Sequence, residues 1–202
     1  MTGEDAEVLD LTGVVLAGGE GRRMGGPKAL LPGPDGRPLI AVALDALRAA
    51  GAREVLVAAR DAAPFAALEP RVEVVLDRGP DAGPGAALGP VAGLEAVLRR
   101  IRTDWALVVA CDMPRLDPAL LRRLALAALA SPGRLAVVPR AGGRLEPLHA
   151  AYHRGALPLV TAALDAGRQR LGDLVAALDP LVLDLPPGPS FDNWNRPEDR
   201  AR

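Results

Sequence analysis

Two kinds of apolar run alternate along the chain. Short runs rich in β-branched residues, GVVLAG (13–18), REVLVAA (53–59), RVEVVLD (71–77) and WALVVAC (105–111), are bounded by turn signals and predict buried strands. Between them lie longer Ala/Leu-rich segments at 38–51, 89–101 and 117–130, with apolar residues at helical spacing. The first of these begins at Pro38 and ends at Gly51. The third opens on Asp117, a good N-cap, with Pro118 at the first helical position. Strand, helix, strand, helix in this rhythm predicts a mostly parallel sheet with helices on both faces and right-handed crossovers.

Past residue 134 the rhythm changes. RLAVVPR (134–140) and EPLHAAYHR (146–154) are strand-like and are joined by AGG, which predicts a hairpin and an antiparallel element. A helical stretch (155–178) and a last strand (180–185) follow. The expected fold is an α/β, Rossmann-like three-layer sandwich with a mostly parallel sheet of about seven strands. No internal repeat or long linker divides residues 1–202, so a single domain is expected.

Composition narrows the chemistry. The 202 residues are 50% hydrophobic and 24% charged, with a net charge of −1, which leaves no electrostatic footprint for nucleic acid. Cys111 is the single cysteine, so neither an intrachain disulfide nor a cysteine-rich metal site is available. The start, MTGEDAEVLDL, is acidic where a secretory signal is basic, and no apolar run approaches the ~20 residues of a membrane span. A cytoplasmic protein with no membrane partner is expected.

The first strand runs into VVLAGGEGRRMGGPKALL (14–31), at the sheet edge where open α/β folds bind ligands. Counted against G-x-G-x-x-G from Gly19 and Gly21, the third position is Met24, and Gly25 comes one residue late. Counted against the P-loop, Pro27 separates Gly26 from Lys28, and Ala29 replaces the metal-binding hydroxyl. Both motifs fail. What remains is a loop in which Gly18 and Gly19 free backbone N–H groups to approach phosphate oxygens, while Arg23 and Lys28 supply positive charge. The fourth strand ends in Cys111-Asp112-Met113-Pro114, where the carboxylate could hold Mg²⁺ against phosphate oxygens. Asp77 ends the third strand on the same edge, where its carboxylate could accept from N–H donors of a ligand or equally from hydroxyls. GPVAG (89–93) offers a helix N-terminus.

The string from Leu16 to Lys28 resembles the signature of the MobA-like nucleotidyltransferases, which include molybdenum cofactor guanylyltransferases, cytidylyltransferases and sugar-phosphate nucleotidyltransferases. Cys-Asp-x-Pro at 111–114, GPVAG at 89–93, EPLHAAYHR at 146–154 and FDNWNRPED at 191–199 resemble further family motifs, so the likeness spans essentially the whole chain. It implies transfer of GMP from GTP to the phosphate of molybdopterin, with Mg²⁺ on Asp112 and release of pyrophosphate. It implies GTP contacts from Leu16, Ala17, Gly18, Gly19, Arg23, Lys28, Asp77 and Asp112, with Lys28, Arg23 and Asp112 carrying the chemistry. A nucleotide-binding half to about residue 115 and an acceptor half from about 116 follow from the same likeness. Asn193 and Asn195 point the same way in an extended segment and suit a polar pterin phosphate, and His149 is a further acceptor-side candidate.

The chain departs from the family at Val57 and Ala59, which stand where Asn is usual beside Arg60, at Pro27 in place of Asp, and at Arg196 in place of Thr. Three other readings stand beside this one. They are a related transferase using CTP or another small phosphate, a nicotinamide-dependent oxidoreductase, and a non-catalytic nucleotide-binding accessory protein. Cofactor-delivery and molybdoenzyme proteins are the expected protein partners.

Overall fold

The computed structural model describes residues 7–18, 27–68, 71–77, 89–168, 170–194 and 199. Its elements in chain order are β1 (Leu9–Leu16), α1 (Leu39–Ala49), β2 (Ala52–Ala59), β3 (Glu73–Leu76), α2 (Pro90–Arg100), β4 (Trp105–Ala110), α3 (Pro118–Leu129), β5 (Ala136–Ala141), β6 (Arg144–Leu145), β7 (His149–His153), α4 (Leu157–Asp165), α5 (Leu171–Ala177) and β8 (Leu181–Leu185). The strands form one sheet in the order β3-β2-β1-β4-β7-β5-β6, and β8 also pairs with β5. β3, β2, β1 and β4 run parallel, as do β5 and β8, while β7 lies antiparallel between β4 and β5.

Helices cover both faces. α1 and α3 pack over Leu11, Val15, Val57, Leu107 and Val109. α2, α4 and α5 pack over Val14, Leu16, Leu56, Val108 and Tyr152. Every residue of β4 is buried, as an apolar strand covered on both faces requires. Asp117 caps α3 as expected, its Oδ1 accepting from the Ala119 N–H at 2.8 Å.

Three boundaries differ from the sequence reading. β1 starts at Leu9, because Leu9 and Leu11 are buried around exposed Asp10. The sheet has eight strands because the hairpin after β5 yields an extra short arm, β6. Gly142 and Gly143 make its turn with φ of 55° and 80°, the positive values a two-residue hairpin loop needs. The segment 155–178 is two helices, not one. Gly167, at φ 73°, ends α4 in a Schellman motif, its N–H donating to the Leu164 carbonyl and the Arg168 N–H to the Ala163 carbonyl, each at 2.9 Å.

The chain leaves β1 through α1 to β2 on one side and returns from β3 through α2 to β4 on the other. That reversal puts a topological switch point between β1 and β4, where open α/β sheets form a crevice. No helix among the described residues is long and apolar enough to cross a membrane.

Candidate active site

A cavity of about 220 Å³ opens at the carboxyl ends of β1, β3 and β4 and reaches the N-terminus of α2. β1 is held beyond its last residue by both neighbours. The Ala17 N–H donates to Ala58 O at 2.8 Å, and Leu16 O accepts from the Cys111 N–H at 3.1 Å. Gly18 therefore emerges between two strands, facing Asp77. A Cβ at Gly18 would stand 3.5 Å from Asp77 Oδ2, so the glycine leaves the carboxylate open to the cavity. Gly89 and Pro90 begin α2 with no side chain capping the helix, and its first-turn N–H groups lie at the cavity edge.

Lys28 sits on a single 3₁₀ turn anchored by buried Ala29. Its Nζ donates to Asp112 Oδ2 at 3.0 Å, and both side chains line the cavity. The two residues are 84 positions apart, brought together by the parallel pairing of β1 with β4. Asp112 follows β4 in a turn, and its backbone carbonyl accepts from the Trp194 N–H at 2.8 Å. The C-terminal segment is tied to the same turn by the Arg115–Asp192 ion pair at 2.6 Å and by the Asp117 N–H donating to Ser190 Oγ at 3.0 Å.

Asp77 is buried, with Oδ1 lacking a hydrogen-bond partner. Burial raises its pKa from the ordinary carboxylate value, and the positive charge of Arg60 partly opposes that shift. A buried carboxylate with an unused acceptor on a cavity wall is prepared for a donor from a ligand. Cys111 shares the cavity, but burial and the neighbouring Asp112 push its thiol up to about 12, so it stays protonated and is no nucleophile.

Of the predicted residues, the structure brings Leu16, Gly18, Lys28, Asp77 and Asp112 to one cavity, with Ala17 in the same β1 exit. Gly19, Arg23 and Asn195 lie outside the described residues. His149 lies beside the cavity residue Leu148 but is fully buried, its ring 4.8 Å from that of Phe191. Burial lowers its pKa to about 4, and neither ring nitrogen has a partner in good geometry. Asn193 Oδ1 is likewise buried without a partner. Val57 and Ala59, the family departures, pack into the core on the α1 face, and the β2 residue on the cavity is Ala58. Nothing in the sequence marks Ala58 or Leu148 as cavity walls, since each is one apolar residue among many.

Residues 13–181 match the MobA-like NTP transferase domain model. The chain is 38% identical over 207 residues to a probable molybdenum cofactor guanylyltransferase of Opitutus terrae, covering 98% of this chain and 96% of the relative. Its fold is similar to the crystal structure of molybdopterin-guanine dinucleotide biosynthesis protein A from Archaeoglobus fulgidus, at a TM-score of 0.73 and 27% identity over 94% of this chain and 95% of that one. It is also similar to the manganese complex of Rv0371c from Mycobacterium tuberculosis, at a TM-score of 0.65 and 25% identity, covering 87% of each chain.

Proposed function

This chain belongs to the family of MobA-like NTP transferase domains, and on that premise we propose that it transfers GMP from GTP to the phosphate of molybdopterin, forming the guanine dinucleotide cofactor and releasing pyrophosphate. The observation that carries the reading is the meeting of Lys28 and Asp112 on one cavity at the switch point. The acceptor phosphate is already ionised at neutral pH, so attack on the α-phosphorus needs no general base. The protein's task is to hold two polyanions in line and offset their repulsion. Lys28 is a point charge for the transferred and leaving phosphates, Gly18 admits phosphate to the backbone, and the α2 N-terminus adds partial positive charge. Gly19 and Arg23 complete the cradle in this reading. Asp77 takes donors from the nucleoside. Asn193 and Asn195 serve the acceptor side in this reading, and His149 is packed against Phe191 nearby in the same C-terminal half.

Asp112 fits a hard divalent cation. Its Oδ2 already accepts a cationic group, and Mg²⁺ typically uses one or two carboxylates with phosphate and water for the rest. We take the ion to be Mg²⁺; when bound it neutralises phosphate charge and orients the phosphate oxygens.

The test is pyrophosphate release from GTP, CTP, ATP or UTP, each with Mg²⁺ and molybdopterin. GTP should support turnover, and Asp112→Ala should lower it on the order of 10²-fold or more, the usual loss when a preorganised charge-stabilising group is removed. Preference for CTP would move the assignment to a cytidylyltransferase, and near-normal turnover by Asp112→Ala would remove Asp112 from the site.

A further inference from the structure

We propose that Lys28 is a tethered counter-ion for Asp112: its ammonium holds the carboxylate oxygen that a divalent metal needs, and nucleotide phosphate draws it off, so that metal and nucleotide enter together. The proposal rests on the reading of Asp112 as the metal ligand.

The Lys28 Nζ–Asp112 Oδ2 contact of 3.0 Å joins a full positive to a full negative charge. The side chains are 20% and 16% exposed, so solvent and salt screen the pair less than a surface pair. It lies among the cavity walls. An ammonium on Oδ2 and a divalent ion on the same carboxylate repel one another strongly at this distance in a partly dry site. The two therefore compete for Asp112.

Among the described residues no group of three or more His, Cys, Asp or Glu side chains could hold a metal. The described residues thus supply few hard ligands, and Asp112 is engaged. A triphosphate changes both sides of the balance. It offers oxygens to the metal, and it offers the ammonium a new anionic partner within reach of a flexible four-carbon stem. One movement of Lys28 then frees Asp112 and delivers positive charge to the phosphates. The apparent metal affinity without nucleotide is the intrinsic affinity reduced by the fraction of molecules in which Asp112 is free of Lys28.

Binding of Mn²⁺, followed through the spectrum of the free ion, tests this in the wild type and in Lys28→Met, Lys28→Gln, Arg60→Met and Asp112→Asn. Each is titrated alone and with a GTP analogue carrying a methylene bridge between the α- and β-phosphorus, which is not turned over. Thermal melts establish that each variant is folded. Without nucleotide, Lys28→Met or Lys28→Gln should bind Mn²⁺ about tenfold or more tighter than wild type, because Asp112 is then free in nearly every molecule. Arg60→Met, which removes a positive charge acting on Asp77, should change it far less. Lys28 variants no tighter than wild type, or matched by Arg60→Met, overturn the counter-ion role while Asp112 remains the metal ligand. Asp112→Asn binding Mn²⁺ as the wild type does with the analogue overturns the metal assignment itself, and the counter-ion role with it.

Discussion

Asp77 shows how one side chain's surroundings set its behaviour. Its carboxylate is buried on the cavity wall with one oxygen unused, and burial raises its pKa. Only the ionised form offers acceptors alone, so GTP affinity should be full above the raised value and fall as pH drops through it. Asp77→Asn should abolish that pH dependence and weaken GTP about tenfold to a hundredfold, the scale of a hydrogen bond to a charged group. Binding titrations of GTP between pH 4.5 and 8 on both proteins check this. Repeating them with xanthosine triphosphate separates base from ribose. Xanthine carries a carbonyl where guanine carries its amine, so recovery in Asp77→Asn places the carboxylate on the base, and no recovery places it on the ribose. Asp77 and Asp112 were legible because each ends an apolar strand on the ligand edge of the sheet, and Lys28 because it closes the glycine-rich string that follows the first strand. The bond from the Trp194 N–H to the Asp112 carbonyl was not, since a backbone contact between distant residues leaves no mark on either side chain.

At the scale of elements, the seating of β1 depends on how closely β2 and α1 lie against it. Gly13 sets the approach. A Cβ there would stand 2.9 Å from Val55 Cγ1 and 3.1 Å from the Cβ atoms of Ala52 and Leu47. The valine methyl can turn away, but the two Cβ atoms move only with their backbones. Gly13→Ala should therefore cost about 1–3 kcal/mol as overpacking. A chain of this length loses roughly 2–4 °C of Tm per kcal/mol, so calorimetry resolves the change. The elements themselves were legible from period and caps. Gly51 closes α1 and was read as a stop, with φ 96° and its N–H on the Arg48 carbonyl at 2.9 Å. Gly167 makes the same kind of stop at φ 73°, yet the apolar spacing on either side of it reads as one continuous helix. Hydrophobic period alone does not distinguish a helix from two helices packed on the same face.

At the scale of the molecule, alternation of strands and helices dictates a layered sheet but not where β7 enters it. β7 reaches β4 only after the chain has passed through β5 and β6, and its His149–His153 run is buried on both faces, so no alternation of polar and apolar residues marks its neighbours. That double burial traps His149 between β4 and the Ser190–Phe191 turn, with Asp117 at the start of α3 as the nearby charge. The consequence is an acid sensitivity of the whole fold. The native imidazole takes a proton only near pH 4, whereas in the unfolded chain it does so near 6.5. Between those values the unfolded state binds more protons, so stability declines as pH falls from about 6.5 to about 4, by up to about 3 kcal/mol. Asp77 and Glu146 act in the opposite sense, since burial raises their pKa and the native state takes up their protons first. His149→Leu removes two buried, unpartnered nitrogens and adds no charge, so it should be neutral or stabilising at pH 7.5. Its Tm should then fall less than that of wild type between pH 6.5 and 4.5. Equal slopes in the two proteins would show that His149 does not govern the acid limb, and a raised KM for molybdopterin in His149→Leu would show that the residue supports the acceptor site.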